Sequence, residues 1–229
     1  MKKFTKMWAI AACALFAGTA AVNAEDYTWK FVTAGDATTY AIRSDGSLWS
    51  WGWNEKGQGG NGVSERTATP TLADGNRVWK KAVGGKAYGF FLAEDGSLWA
   101  AGTHEGGVQG TNDGIDHKVL TRIGTDNDWA DMACSRFWGY SGFAIKTNGT
   151  LWAWGKNSAG QLGIGNTQAQ TAPVQVGADM DWKQVAAGCS SVLALKTDGS
   201  ICIVNYSVMK VNNCHRSVWV ARQTGSKLL

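Results

Sequence analysis

Few residues of this chain could do chemistry. The three histidines, His104, His117 and His215, show no H-E-x-x-H or other metal-ligand spacing. There is no G-x-S-x-G elbow to expose a serine nucleophile and no phosphate-cradling loop ending in Lys-Ser/Thr. Carboxylates, which could pair as acid and base or hold calcium, gather at Asp126, Asp128 and Asp131 and again at Asp179 and Asp181. Solvated loop carboxylates account for both groups, because a calcium site needs a denser set of oxygens. Cys134, Cys189, Cys202 and Cys214 lack the C-x-x-C spacing of a zinc or redox site. Cys134 and Cys189 occupy copies of one apolar strand and read as small buried thiols. These observations predict no catalytic residue, no metal and no cofactor.

Side chains suited to binding stand out more clearly. Arg136, Phe137, Trp138 and Tyr140 crowd one glycine-containing stretch. Arg, Trp and Tyr dominate binding hot spots, and aromatic faces also stack on sugars. Trp53 is a second candidate, since the matching positions hold Thr103 and Lys156.

The elements that position these groups repeat. Trp29, Trp79, Trp129 and Trp182 follow one another at 50, 50 and 53 residues. Each is followed by a turn pair, Asp45-Gly46, Asp95-Gly96, Asn148-Gly149 or Asp198-Gly199. The Trp-to-turn distance is 16 residues in three copies and 19 in the third. The third copy therefore carries a three-residue insertion, at the aromatic stretch around Trp138. The Asp-Gly signal predicts hairpins with both central residues at positive φ. Trp49 and Trp51 share one strand face, as do Trp152 and Trp154, and Trp99 begins the same pattern in the second copy. A glycine-rich loop closes each unit. The fold class expected is all-β, a β-propeller of roughly 50-residue, four-stranded blades.

The third copy, Asn148 to Gly165, resembles the repeat of the regulator of chromosome condensation family, with Trp152, Trp154, Gly155, Asn157, Gly160, Gln161 and Gly163 in place. The first copy keeps Trp49, Trp51, Gly52, Asn54, Gly57 and Gln58, with Gly59 where the family prefers Leu. The second keeps Trp99 and Gly102 and departs at His104 and Val108. The repeated Asn and Gln positions read as fold residues that bond loop backbone. The family often has a histidine before its second strand, and Thr38, Tyr88 and Ser191 replace it here. The resemblance implies repeats at 29–78, 79–128 and 129–181, with a partial fourth at 182–205. The family's seven-bladed rings need more repeats than this. Two explanations stay open: a truncated or frame-shifted product, or a short chain whose ring is completed by a second copy. From Tyr206 the acids and the periodicity end together, so 206–229 is expected to be a non-repeat tail.

The N-terminus predicts export. Lys2, Lys3 and Lys6 precede an apolar run and then Val22-Asn23-Ala24, so residues 1–24 read as a signal peptide cleaved after Ala24. A lipoprotein-type cleavage before Cys13 would leave a very short apolar stretch ahead of it. No later segment is long and apolar enough to span a bilayer. The three leader lysines supply most of the net charge of +4, which leaves 19 basic and 18 acidic residues, or +1. The repeats themselves are slightly acidic and show no basic nucleic-acid footprint.

The functional expectation is a secreted, non-catalytic repeat protein that binds an extracellular protein or glycan through rim loops. By resemblance to β-lactamase-inhibiting propellers, a secreted enzyme inhibitor is an alternative. Guanine-nucleotide exchange, the family's best-known activity, is opposed by the signal peptide.

Overall fold

The computed structural model describes residues 28–188, 191–205 and 213–215. The expected signal peptide and its expected cleavage site, Cys189 and most of the tail lie outside these residues. The described chain forms four antiparallel four-stranded sheets, each joined in simple up-and-down order. Blade 1 contains β1 (Trp29–Ala34), β2 (Thr38–Arg43), β3 (Leu48–Gly52) and β4 (Thr67–Asp74). Blade 2 contains β5 (Trp79–Gly84), β6 (Tyr88–Ala93), β7 (Leu98–Gly102) and β8 (His117–Arg122). Blade 3 contains β9 (Trp129–Cys134), β10 (Ser141–Lys146), β11 (Leu151–Gly155) and β12 (Gln170–Gln175). Blade 4 contains β13 (Trp182–Ala187), β14 (Ser191–Lys196), β15 (Ile201–Asn205) and β16 (Asn213–His215).

Strands β1, β5, β9 and β13 are innermost and touch in sequence around an axis, which makes the blades an open ring. Three apolar clusters fill the three seams between neighbouring blades. At each seam the opening Trp of one blade enters the face of the blade before it. Trp79 packs with Ile42 and Leu48, Trp129 with Leu92 and Leu98, and Trp182 with Ile145 and Leu151.

The hairpin turns differ from expectation. Gly46, Gly96, Gly149 and Gly199 have positive φ, but the preceding Asp or Asn does not. In the first copy Gly46 N–H donates to the Arg43 carbonyl at 2.9 Å and Arg43 N–H to the Ser47 carbonyl at 3.1 Å. This is a three-residue loop, a type I turn closed by a left-handed glycine. The reason lies in the residue after glycine. Asp45 accepts from both the N–H (2.9 Å) and hydroxyl (2.7 Å) of Ser47, and Trp49 Nε1 donates to that hydroxyl at 2.8 Å. The relay recurs at Asp95-Ser97-Trp99 and Asn148-Thr150-Trp152. An acid that bonds two residues ahead favours the Asx geometry over a left-handed one.

Blade 4 also differs. The repeat pattern ends at Asn205, yet β16 pairs with β15 and supplies a short fourth strand from within the tail. Backbone pairing alone achieves this, with no Trp or glycine loop to announce it. Cys202 stands opposite Cys214 in that pairing and is disulfide-bonded.

Candidate binding site

The inner hairpins of blades 1 and 2 turn in three residues each, at 35–37 and 85–87, whereas blade 3 uses six, at 135–140. Two of those six, Phe137 (φ 53°) and Tyr140 (φ 44°), are bulky residues in the left-handed region. Such backbone costs on the order of 1–3 kcal/mol per residue and persists only where its surroundings impose it. The constraints here are specific. Tyr88, at one of the positions where the family often has histidine, donates its hydroxyl to the Ser135 carbonyl at 2.5 Å. Phe137 N–H donates to Asp36 Oδ2 at 3.0 Å, across to blade 1. Arg136 Nη2 reaches the Ala34 carbonyl at 3.3 Å. Ser141 Oγ shares its one hydroxyl hydrogen between the Lys156 and Gly139 carbonyls, at 2.8 and 3.0 Å.

The loop divides the four residues expected to act together. Phe137 and Trp138 project outward, 59% and 63% exposed. Tyr140 is buried, with its ring 5.9 Å from Tyr88 and 6.5 Å from Trp138, so it is a footing for the loop and no part of a contact surface. Burial pushes its hydroxyl up to about 12. Arg136 turns toward the axis and lines a separate central cavity of about 190 Å³ with Lys81, Met132 and Cys134.

Trp53 meets Phe137 and Trp138 across a cleft of about 510 Å³ that also takes in Asp36, Ala37, Arg66 and Lys86. Three blades contribute. Trp53 is held by its backbone, with its N–H on the Ala37 carbonyl at 2.8 Å and its carbonyl accepting from Thr38 Oγ1 at 2.5 Å. Its indole bonds Glu55, which also accepts from Arg66 Nη2 at 2.8 Å; these two bonds hold the Glu55 carboxyl below its ordinary value. Lys86 Nζ lies 2.9 Å from the Trp138 ring centroid, a cation–π contact that orients the indole. Asp36, Arg66 and Lys86 come from short turns and a loop far from residue 138 in sequence. Tyr88 was visible only as a departure from the family pattern.

This cleft presents flat aromatic faces edged by two cations and one carboxylate. Such a lining stacks on a ring and bonds a polar rim. The aspartate clusters serve elsewhere. Asp126 and Asp128 pair with Lys146 at 2.5 and 3.1 Å, Asp179 and Asp181 with Lys196 at 2.6 and 3.0 Å, and Asp131 with Lys81 at 2.6 Å. Partial burial pushes the Lys146 and Lys196 ammonium groups down, but their paired carboxylates outweigh it and raise them. His104 and His117 pair with Asp116 and Asp113 at 2.6 and 2.7 Å within the blade 2 loop. Among the described residues no group of three or more His, Cys, Asp or Glu could hold a metal ion.

The repeat residues occupy the loops. Asn54 Oδ1 accepts from Gly59 N–H at 2.7 Å and its amide donates to the Val63 carbonyl at 3.0 Å. Asn157 does the same for Leu162 (3.0 Å) and Asn166 (2.9 Å). Gln58 and Gln161 accept from Lys56 and Ala159 N–H at 3.1 and 2.9 Å. Trp49, Trp99 and Trp152 carry the turn relays, and Trp154 Nε1 donates to the Val108 carbonyl at 2.7 Å. Gly52, Gly57, Gly102, Gly155, Gly160 and Gly163 all have positive φ.

Four-stranded sheets stacked around an axis, with loops gathered on the rim, define a tandem-repeat β-propeller. The family described as "Regulator of chromosome condensation (RCC1) repeat" matches residues 45–92 and 148–195, and a second form of that repeat matches 29–58. The chain is an RCC1-type β-propeller. It is 31% identical to the Ultraviolet-B receptor UVR8 of Arabidopsis thaliana over 163 residues, 70% of this chain and 37% of the receptor. It is 30% identical to human Protein RCC2 over 150 residues, 64% of this chain and 19% of RCC2. Human WBSCR16 superposes with a TM-score of 0.68 at 20% identity, over 77% of this chain and 47% of that one. Yeast RCC1 (Prp20), crystallised with Kap60, superposes with a TM-score of 0.67 at 22% identity, over 78% of this chain and 44% of that one. The chain thus spans less than half the length of each of these relatives.

Proposed function

We propose that this chain is an exported, non-catalytic propeller-repeat protein that binds an extracellular protein or glycan through the cleft between Trp53 and Trp138. One observation carries the reading. Phe137 and Trp138 are held outward, on strained backbone, by contacts from three blades, although nothing in the repeat requires the insertion. Rigid scaffolds bearing irregular loops commonly place binding there. Protein recognition also fits the relatives, since Prp20 was crystallised with Kap60 and another study describes its binding to Gsp1p and histones. Export is supported by the basic and apolar N-terminus and by the disulfide at Cys202, a bond that persists in oxidising compartments.

The test uses the purified full-length chain. Soluble oligosaccharides, and peptides with an aromatic residue beside a carboxylate, are titrated while tryptophan fluorescence is followed. Trp53→Ala and Trp138→Ala should each weaken binding of the responding probe by tenfold or more, about 1.4 kcal/mol. Binding that is unchanged in both variants would move the site elsewhere. N-terminal sequencing of the protein recovered from outside the cytoplasm should begin at Glu25. An intact Met1 there would defeat the export reading.

A further inference from the structure

The three seams within the ring define what a fourth must look like. Their opening tryptophans, Trp79, Trp129 and Trp182, are 0%, 4% and 3% exposed. Trp29 holds the same place in blade 1 and is 46% exposed, beside Val32 at 65%. The receiving face is equally regular. It is formed by the third and fifth residues of the second strand and the first residue of the third strand. In blade 1 these are Tyr40, Ile42 and Leu48, in blade 2 Phe90, Leu92 and Leu98, and in blade 3 Phe143, Ile145 and Leu151, all nine at 2% exposure or less. In blade 4 they are Leu193, Leu195 and Ile201, of which Leu193 is 47% and Ile201 39% exposed.

Both ends of the stack are therefore apolar, and each has the chemistry that the other end's counterpart meets inside the ring. We propose that the Leu193–Ile201 face of blade 4 docks the Trp29 face of a second copy. Two such seams, related by a two-fold axis, close an eight-bladed ring. The occupant is a second copy because the seams already formed show what covers this face, an opening strand with Trp at that register, and the chain carries one uncovered. Rings of up to eight blades are ordinary for this architecture. Charge is neutral at one layer of the contact, while at the layer of the second residues Lys183 would stand beside Lys30 of the second copy, whose ammonium already pairs with Glu94. The third residues of the inner strands run Phe31, Lys81, Asp131 and Gln184, so closing the ring sets Gln184 beside Phe31 and brings no like charges together at that layer.

Sedimentation equilibrium of the full chain, disulfide intact, tests this over a range of concentrations. The expected species is a dimer. Trp29→Lys, at a residue already half-exposed and so tolerant in the monomer, should raise the dimer dissociation constant by on the order of a hundredfold. Leu193→Asp should do the same, and Ile201→Lys is the second variant if blade 4 loses its circular-dichroism signature. Mixing Trp29→Lys with Leu193→Asp should restore dimers, because each mixed pair keeps one native seam. A monomeric wild type, a dimer indifferent to Trp29→Lys, or open-ended polymers would each overturn the proposal. Failure of the mixture to recover dimers would overturn the head-to-tail arrangement. Trp138→Ala should dimerise as wild type.

Discussion

At the scale of single residues, the difference between a contact group and its footing was only half legible. Arg136, Phe137, Trp138 and Tyr140 are alike as hot-spot residue types, and nothing in their order says that Tyr140 turns inward. That is decided by Tyr88, 52 residues earlier, whose ring receives Tyr140. Lys86, Asp36 and Arg66 could not be read at all, because ring geometry and not chain proximity brings them to Trp138. Asp36→Ala removes the acceptor of Phe137 N–H. It should cost under about 1.5 kcal/mol of stability while weakening ligand binding, a split visible when melting and titration are compared. Cys134 is a free thiol, and burial pushes it up to about 12. It should resist thiol reagents at pH 8 in the native protein and react only as the protein unfolds in denaturant.

At the scale of elements, the hairpins were the most legible feature, because Trp and Asp-Gly recur at fixed distance. Their turn type departs from the one the dipeptide implies, since Ser or Thr after the glycine draws the Asp or Asn into an Asx bond that the dipeptide alone does not reveal. Hydrogen bonds from the Ser47 and Ser97 hydroxyls hold the Asp45 and Asp95 carboxyls below their ordinary value. A carboxyl depressed in the folded state stabilises above the unfolded pKa of about 4, and that contribution is lost as pH falls through the lower folded value. Ser97→Ala should raise the Asp95 titration midpoint observed by NMR and lower stability at neutral pH, a deficit that shrinks as pH falls below about 4. Gly155 has φ +97°, and a Cβ there would lie 2.3 Å from the Tyr140 carbonyl oxygen. Gly155→Ala should cost about 2 kcal/mol or more and lower the melting temperature by roughly 4–8 °C. The short strand β16 left no trace in the sequence pattern, because three residues paired through backbone need no motif.

At the scale of the whole molecule, the blade count and stacking direction follow from the repeat period, while the identity of the exposed ends does not. Only the burial of Trp79, Trp129 and Trp182 beside the exposure of Trp29 shows which surfaces are unfinished. A stack in which each blade contacts only its neighbours is stabilised seam by seam. Blades 2 and 3 have two seams in the single chain and blades 1 and 4 have one. Native-state hydrogen exchange should therefore be slowest in β6 and β10 and fastest in β2 and β14. Addition of the dimer's seams should slow β2 and β14 selectively.

Trp29 and Trp138 are the two described tryptophans most open to water, one on the blade edge and one on the rim. The other described indoles lie deeper, between or along the sheets. The molecule thus carries its own pair of optical reporters, both accessible to a collisional quencher such as iodide. Quenching that disappears as concentration rises reports the edge, and quenching that disappears on adding a ligand reports the rim. Trp29→Phe and Trp138→Phe assign each signal, so assembly and recognition can be read separately in one unlabelled sample.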